Sequence, residues 1–205
     1  MQYFPVFMKL KDQPVLVVGG GAVAERKIRL LLAAGAQVSL VARKLNPACR
    51  AWLGAGKLTF LSKAYRPHQL EQMRLVFAAT DDTSLNQRLF QDAQAAGILV
   101  NVVDAPELCN FISPAIIDRS PVQIAISTGG AAPALARRLR SSLEALLPQG
   151  LGQIARAAGR VRKKIRDLVP PGKRRMFWDN QFSRNGRAAS QEASNRGGIS
   201  QLNPV

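Results

Sequence analysis

The stretch VLVVGGGAVAERK, residues 15–27, constrains the fold of this chain more than any other. An apolar run of strand length passes directly into glycines and then into a helix-forming segment. Gly19, Gly21 and Ala24 therefore stand in the G-x-G-x-x-G/A spacing at a strand-to-helix junction. Each position has a physical task. Gly19 allows the tight turn, Gly21 lets the backbone approach a pyrophosphate, and the small Ala24 lets the helix pack close to the strand. The helix N-terminus adds amide donors and a positive partial charge for phosphates. A dinucleotide is the ligand this stretch suits best; the alternative is a set of glycines that serve only a sharp turn.

The rest of the first 104 residues fits that reading. Apolar runs at VLVV (15–18), VSLVA (38–42), LTFL (58–61), LVFAA (75–79) and LVNVV (99–103) have strand length and suit strands buried on both faces. Between them lie helical stretches, the clearest being 22–34, closed by Gly35, and 85–96, closed by Gly97. This alternation predicts an α/β fold: a Rossmann-like parallel sheet with helices on both faces. After Pro106 the pattern changes. FISPAII and VQIAIS flank DRSP and read as an antiparallel hairpin, and STGGAAPALARRLRSSLEALLP reads as a turn and a helix with Pro133 in its first turn. Leu135, Leu139, Leu143 and Leu146 or Leu147 form an apolar stripe on that helix, which serves either a dimer surface or packing within the chain. Residues 151–178 read as helical and basic, broken at VPPG, and 183–205 as a polar, disordered tail.

Ligands of such sheets bind at the carboxyl ends of the strands, so the residues there are the candidates for function. At the end of the second strand an acidic residue would ordinarily bond the adenosine ribose, but the chain has Ala42, Arg43 and Lys44. Arg43 by itself suggests a 2′-phosphate and hence NADP. At the end of the fourth, Thr80 is placed to approach the nicotinamide half, while Asp81 or Asp82 caps a helix starting near Ser84. Asp104 closes the fifth strand in NVVDAP. As a turn former it would bond nearby amides; at this edge it is also a candidate proton-transfer group.

Composition narrows the partners. The formal net charge of +16 is concentrated late in the chain: residues 137–187 hold 14 Lys/Arg against 3 Asp/Glu, whereas 1–136 hold 14 against 9. Such a field recruits polyanions, whether nucleic acid, anionic lipid or a small polycarboxylate. Residues 137–187 lack a DNA-reading motif and interleaved aromatics, which argues against nucleic acid. No apolar run approaches the roughly 20 residues of a membrane span, and MQYFPVFMKLKDQP lacks the regions of a secretory signal. Two cysteines, Cys49 and Cys109, are too few for a disulfide framework, so a cytoplasmic chain is expected and both are read as structural. His68 is the single histidine, read as a surface residue at a helix start, and a zinc site of the usual kind is not expected.

Taken together, these segments resemble the siroheme synthase N-terminal module, the bifunctional precorrin-2 dehydrogenase and sirohydrochlorin ferrochelatase. The stretches that carry the likeness are PVF…VLVVGGGAVAERK, LLAAGA, AATDD…NQR, NVVDAP…FI.P.IIDRSP and ISTGG.AP.LAR.LR..LE.LLP, with LGQIARAAGRVR and RRMFW matching more loosely, from about Phe4 to Phe182. The resemblance implies a homodimer with an NAD-binding Rossmann domain (1–113), a dimerisation region (114–147) and a helical C-terminal region (148–182). It implies that Ala22 and Val23 contact the cofactor near its phosphates, that Arg43 and Lys44 lie at the adenosine end, and that NAD, not NADP, accepts the hydride. Asp104 matches the aspartate the family uses in both reactions, oxidation of precorrin-2 to sirohydrochlorin and insertion of ferrous iron, with Fe2+ held by the tetrapyrrole's own nitrogens. Some members are phosphorylated at a serine where this chain has Thr128, beside Ser127. Fused members continue into a methyltransferase domain past the point where this sequence stops; the chain is read as either a stand-alone version or a fragment.

Overall fold

A computed structural model describes residues 2–181; the tail expected at 183–205 lies outside the described residues. Five strands, β1 (Pro14–Val18), β2 (Gln37–Val41), β3 (Leu58–Ser62), β4 (Leu75–Ala78) and β5 (Leu99–Val102), form one parallel sheet in the order β3-β2-β1-β4-β5. Because successive side chains of a strand point to opposite faces, a strand covered on both sides must be apolar throughout. In β1, Val15 and Val17 enter one buried cluster with Ala24, Ile28 and Leu31, while Leu16 and Val18 enter the other with Val76, Leu89 and Val100. The helices that cover the faces are α1 (Ala22–Ala33), α2 (Pro47–Gly54) and α3 (Thr83–Ala95).

Local chemistry sets the helix ends. Gly35 and Gly97 follow α1 and α3 at φ of 75° and 66°, the left-handed conformation that ends a helix. Asp82 caps α3: its side chain accepts from the Leu85 amide at 3.0 Å, so the helix begins at Thr83, one residue before the position expected from sequence. Asn46 caps α2 in the same way, accepting from the Cys49 amide at 2.8 Å.

The chain divides into two compact units. The first comprises the chain up to Pro114 together with Ser127–Pro133; the second is Ala115–Ile126 with the chain from Ala134 onward. The second contains the hairpin of β6 (Ala115–Arg119) and β7 (Val122–Ile126), the helix α4 (Pro133–Leu146), which starts at the junction, and α5 (Leu151–Leu168). Arg119 reaches Glu144 of α4 at 3.3 Å, and Arg156 of α5 donates to the Ser120 carbonyl at 2.6 Å. A side chain at position 152 would run into the Arg119 and Ser120 carbonyls, so Gly152 lets α5 lie against the hairpin turn. Within this chain Leu135, Leu139, Leu143 and Leu146 are all exposed, the last at 77%. The break expected at VPPG is present: α5 ends at Leu168, and helical structure resumes from 171.

Candidate functional site

The candidate site begins at β1, where the order of the sheet reverses. β2 lies on one side of β1 and β4 on the other, and the crevice between their carboxyl ends is where ligands of such sheets bind. Gly19 opens this crevice with φ of 121°. Its amide donates to the Val41 carbonyl at 2.8 Å, and a Cβ there would run into the Ala79 backbone. Gly20 is similarly confined by the Lys44 carbonyl. Gly21 differs from both: it caps α1 at φ of −87°, and a Cβ there would meet nothing within 4 Å. The first two glycines are required by the protein itself, whereas Gly21 keeps space clear beside the free amides of α1.

That space is a cavity of about 720 Å³. It is lined by all seven residues expected to hold a cofactor, Gly19, Gly21, Ala22, Val23, Arg43, Lys44 and Thr80, and also by Gly20, Lys63 and Tyr65. The residues directly after β2, Ala42, Arg43 and Lys44, include no acid; Asp81 and Asp82 line the cavity from the end of β4, Arg43 lies 3.9 Å from Asp82, and both side chains are solvent-accessible. The Thr80 hydroxyl is committed to the protein. It donates to Asn86 Oδ1 at 2.7 Å, while Asn86 Nδ2 donates to the Thr80 carbonyl at 2.9 Å, so the buried Asn86 fixes the turn that faces the cavity. Tyr65 closes the far wall and donates to Asp92 at 3.0 Å; burial, then that hydrogen bond, pushes its phenol well above the usual tyrosine range. A glycine floor, helix-start amides and three lining cations, Arg43, Lys44 and Lys63, suit a dinucleotide's pyrophosphate and adenosine.

Asp104 is not among the residues that line this cavity. It stands on the same edge of the sheet, one strand further along, where the Val103 amide donates to the Ala78 carbonyl at 2.9 Å and extends β5 beside the end of β4. Asp104 is exposed and has φ of 61°, a left-handed conformation that costs most residues roughly 1–2 kcal/mol and Asp or Asn less. The segment after it is tied back to β5. Asn101 Nδ2 donates to the Phe111 carbonyl at 2.9 Å, Asn110 Oδ1 accepts from the Val100 amide at 3.1 Å, and the Cys109 thiol lies 3.1 Å from the Val102 carbonyl and 3.3 Å from that of Ala105. Burial pushes the Cys109 thiol up, as it does that of Cys49. The carboxylate that sequence singled out thus projects from a turn clamped on both sides.

Sequence reasoning gave no role to Lys27, which the structure draws into this neighbourhood. From the second turn of α1 its ammonium donates to Ser113 Oγ at 2.9 Å and sits 5.5 Å from the centroid of the Phe77 ring, itself stacked edge-on against Phe111. Burial, then the charge of Arg26, pulls its pKa down, against the opposing pull of Cys109 and Asp104. Its presence in GGGAVAERK was the one available signal. Ser127 and Thr128 fold into the turn before α4, their hydroxyls accepting from the Gly129 and Ala132 amides at 3.0 and 3.1 Å. His68 is exposed in a short 3-10 turn, and among the described residues no three His, Cys, Asp or Glu side chains cluster as metal ligands. No described helix is long and apolar enough to cross a membrane.

A five-stranded parallel sheet with a glycine crevice at its switch point defines a Rossmann-type protein whose crevice suits a dinucleotide. Comparison with known proteins refines that class: the NAD(P)-binding family model matches residues 6–115, a sirohaem biosynthesis protein central model matches 119–146, and a sirohaem synthase dimerisation region model matches 150–197. The chain belongs to the sirohaem synthase family. Siroheme synthase of Mannheimia succiniciproducens is 50% identical over 188 residues, 91% of this chain and 39% of that protein. Siroheme synthase of Escherichia coli is 47% identical over 196 residues, 95% of this chain and 43% of that protein, so the chain spans about two-fifths of these relatives. Among solved structures, SirC, a precorrin-2 dehydrogenase, superposes with a TM-score of 0.71 at 26% identity, covering 94% of this chain and 100% of that one.

Proposed function

We propose that this chain catalyses the NAD-dependent oxidation of precorrin-2 to sirohydrochlorin and then the insertion of ferrous iron to give siroheme. The observation that carries the reading is the shared sheet edge. The glycine cavity and the clamped Asp104 turn occupy adjacent strand ends, β4 and β5, so a flat substrate can meet a nicotinamide and a carboxylate together. The likeness to SirC and to siroheme synthases supports it.

The residues fit a dinucleotide: Gly21 leaves room for its pyrophosphate, the amides at Ala22 and Val23 would hold the phosphates, Arg43 and Lys44 would serve the adenosine end, and the Thr80 turn would face the nicotinamide half. When bound, NAD supplies a hydride acceptor. The Asp104 carboxylate accepts the proton that leaves the same macrocycle, and its rigid turn holds the acceptor oxygen in place. For metal insertion the tetrapyrrole nitrogens bind Fe2+ as a substrate and the exposed Asp104 takes up the two displaced N–H protons in turn, passing each to solvent, so no protein-built metal site is required. The exposed leucines of α4, within the region matched by the central model, form a surface for homodimerisation, and the basic α5 attracts polycarboxylates. The match to SirC, a precorrin-2 dehydrogenase, favours a second reading in which oxidation occurs without chelation.

The test is Asp104→Asn, because Asn accepts the left-handed backbone and removes only the ionisable oxygen. NADH formation from precorrin-2 should fall by at least about 100-fold with NAD affinity unchanged. Undiminished turnover refutes the role of Asp104. Unaccelerated uptake of Fe2+ by sirohydrochlorin, against the spontaneous rate, selects the dehydrogenase-only reading.

A further inference from the structure

Lys27 is a cation with unused donors. An ammonium carries three N–H groups, and the structure engages one of them, with Ser113 Oγ at 2.9 Å. The face of Phe77, 5.5 Å away, adds a cation–π contact worth about 0.5–1 kcal/mol. No carboxylate among the described residues lies within 4.0 Å of it, although seven ion pairs form elsewhere among them. Partial burial disfavours the charge. A half-buried cation held by one hydroxyl and one ring is a group built to receive an anion.

Two anions are in prospect, and position separates them. The dinucleotide's phosphates belong at the first amides of α1, and Lys27 stands five residues beyond Ala22, roughly 7.5 Å further along the helix. It does not line the glycine cavity. It points instead toward Phe77 of β4 and Ser113, at the end of the segment that returns from Asp104, and the electrostatic influence of Asp104 reaches it. A like-charged lining would repel a polycarboxylate brought up to Asp104, and Lys27 supplies the opposite charge on that side.

Resting on the proposed reaction, we infer that Lys27 binds one carboxylate side chain of the tetrapyrrole and so orients the macrocycle over Asp104. It is a positioning residue: it touches the rim of the substrate and leaves the reacting carbon to Asp104. The guanidinium of an arginine can make the same contact, whereas methionine keeps the packing on Phe77 and loses the charge.

The experiment compares wild type, Lys27→Met and Lys27→Arg. Lys27→Met should raise KM for precorrin-2 at least about tenfold, the worth of one charged hydrogen bond. Its kcat should stay within about threefold of wild type, and its NAD affinity should be unchanged. Lys27→Arg should recover most of the loss. A separate arm measures binding of sirohydrochlorin and of an analogue whose acetate and propionate chains are replaced by alkyl groups. The gap between wild type and Lys27→Met should appear with the first and vanish with the second. An unchanged KM, a Lys27→Arg variant as impaired as Lys27→Met, or a gap that persists with the uncharged analogue overturns the assignment. If wild type forms no NADH from precorrin-2, the proposed reaction fails instead, and the binding arm still decides whether Lys27 holds a carboxylate.

Discussion

Replacing Gly19 and Gly21 by alanine, one at a time, separates a glycine the fold requires from one a ligand requires. At Gly19 the backbone sits at φ of 121°, a region open essentially to glycine, and the new Cβ would collide with the Ala79 backbone between β1 and β4. The conformational penalty is about 1–3 kcal/mol, and the collision adds to it because the Ala79 backbone, whose amide donates to the Val18 carbonyl, cannot swing away as a surface side chain would. With a total near 3 kcal/mol, a chain of this size should melt about 6–12 °C lower. At Gly21 the backbone is already extended and the methyl enters open space. Alanine is a poorer helix cap than glycine by up to about 1 kcal/mol, partly offset by about 0.4–1 kcal/mol from a less flexible unfolded chain. Gly21→Ala should therefore melt within about 3 °C of wild type. Yet the methyl occupies the room a pyrophosphate needs, so NAD affinity, followed by NADH fluorescence or calorimetry, should drop by at least about tenfold. Gly21→Ala with full NAD affinity and a wild-type melting temperature would refute the assignment of this crevice to the pyrophosphate.

Two further outcomes follow from the same architecture. The Tyr65 phenol holds its proton to a higher pH when folded than when unfolded, chiefly through burial. An unfolded tyrosine ionises near pH 10, so above that pH the unfolded state binds fewer protons than the folded one and stability falls as pH rises. Denaturant melts should show a loss between about pH 10 and 12 that is absent from Tyr65→Phe; equal slopes would refute it. Asp82→Ala should cost about 1 kcal/mol through the lost cap on α3, with little added from its exposed contact to Arg43. Asp82→Asn should restore most of it, as read from urea midpoints.

The parallel sheet was legible because each central strand is buried on both faces and must be apolar along its whole length, as VLVV and LVFA are. The glycine cavity was legible for a related reason: spacing along the chain fixes where Gly19, Gly21 and α1 stand, and all of them are local. What escaped were features made by distant partners. Gly20 is required by the Lys44 carbonyl, a neighbour only after β2 has paired with β1. The clamp on the Asp104 turn joins Asn101 to Phe111 and Cys109 to Val102; Cys109, read from sequence as structural, holds that turn through its sulfur. Lys27 was hidden in a motif whose glycines took all the attention, since its value depends on Ser113, 86 residues away.

The clamp bears directly on why an aspartate sits where a glycine would be more comfortable. A left-handed residue costs an aspartate up to roughly 1–2 kcal/mol, and glycine would remove that cost. The flanking hydrogen bonds, from Asn101 to the Phe111 carbonyl and from the Val103 amide to the Ala78 carbonyl, contribute about 0.5–1.5 kcal/mol each, enough to hold the turn in place. Backbone strain that persists because its surroundings over-determine it is found where function needs a fixed side chain. A left-handed turn at the end of β5 aims the carboxylate out from the strand end, while an ordinary extended residue would continue the strand and turn its side chain toward one of the helical layers. The conformation and the proposed chemistry thus suit the same residue type: an acid that tolerates φ near 60°, held in place by the hydrogen bonds of its neighbours.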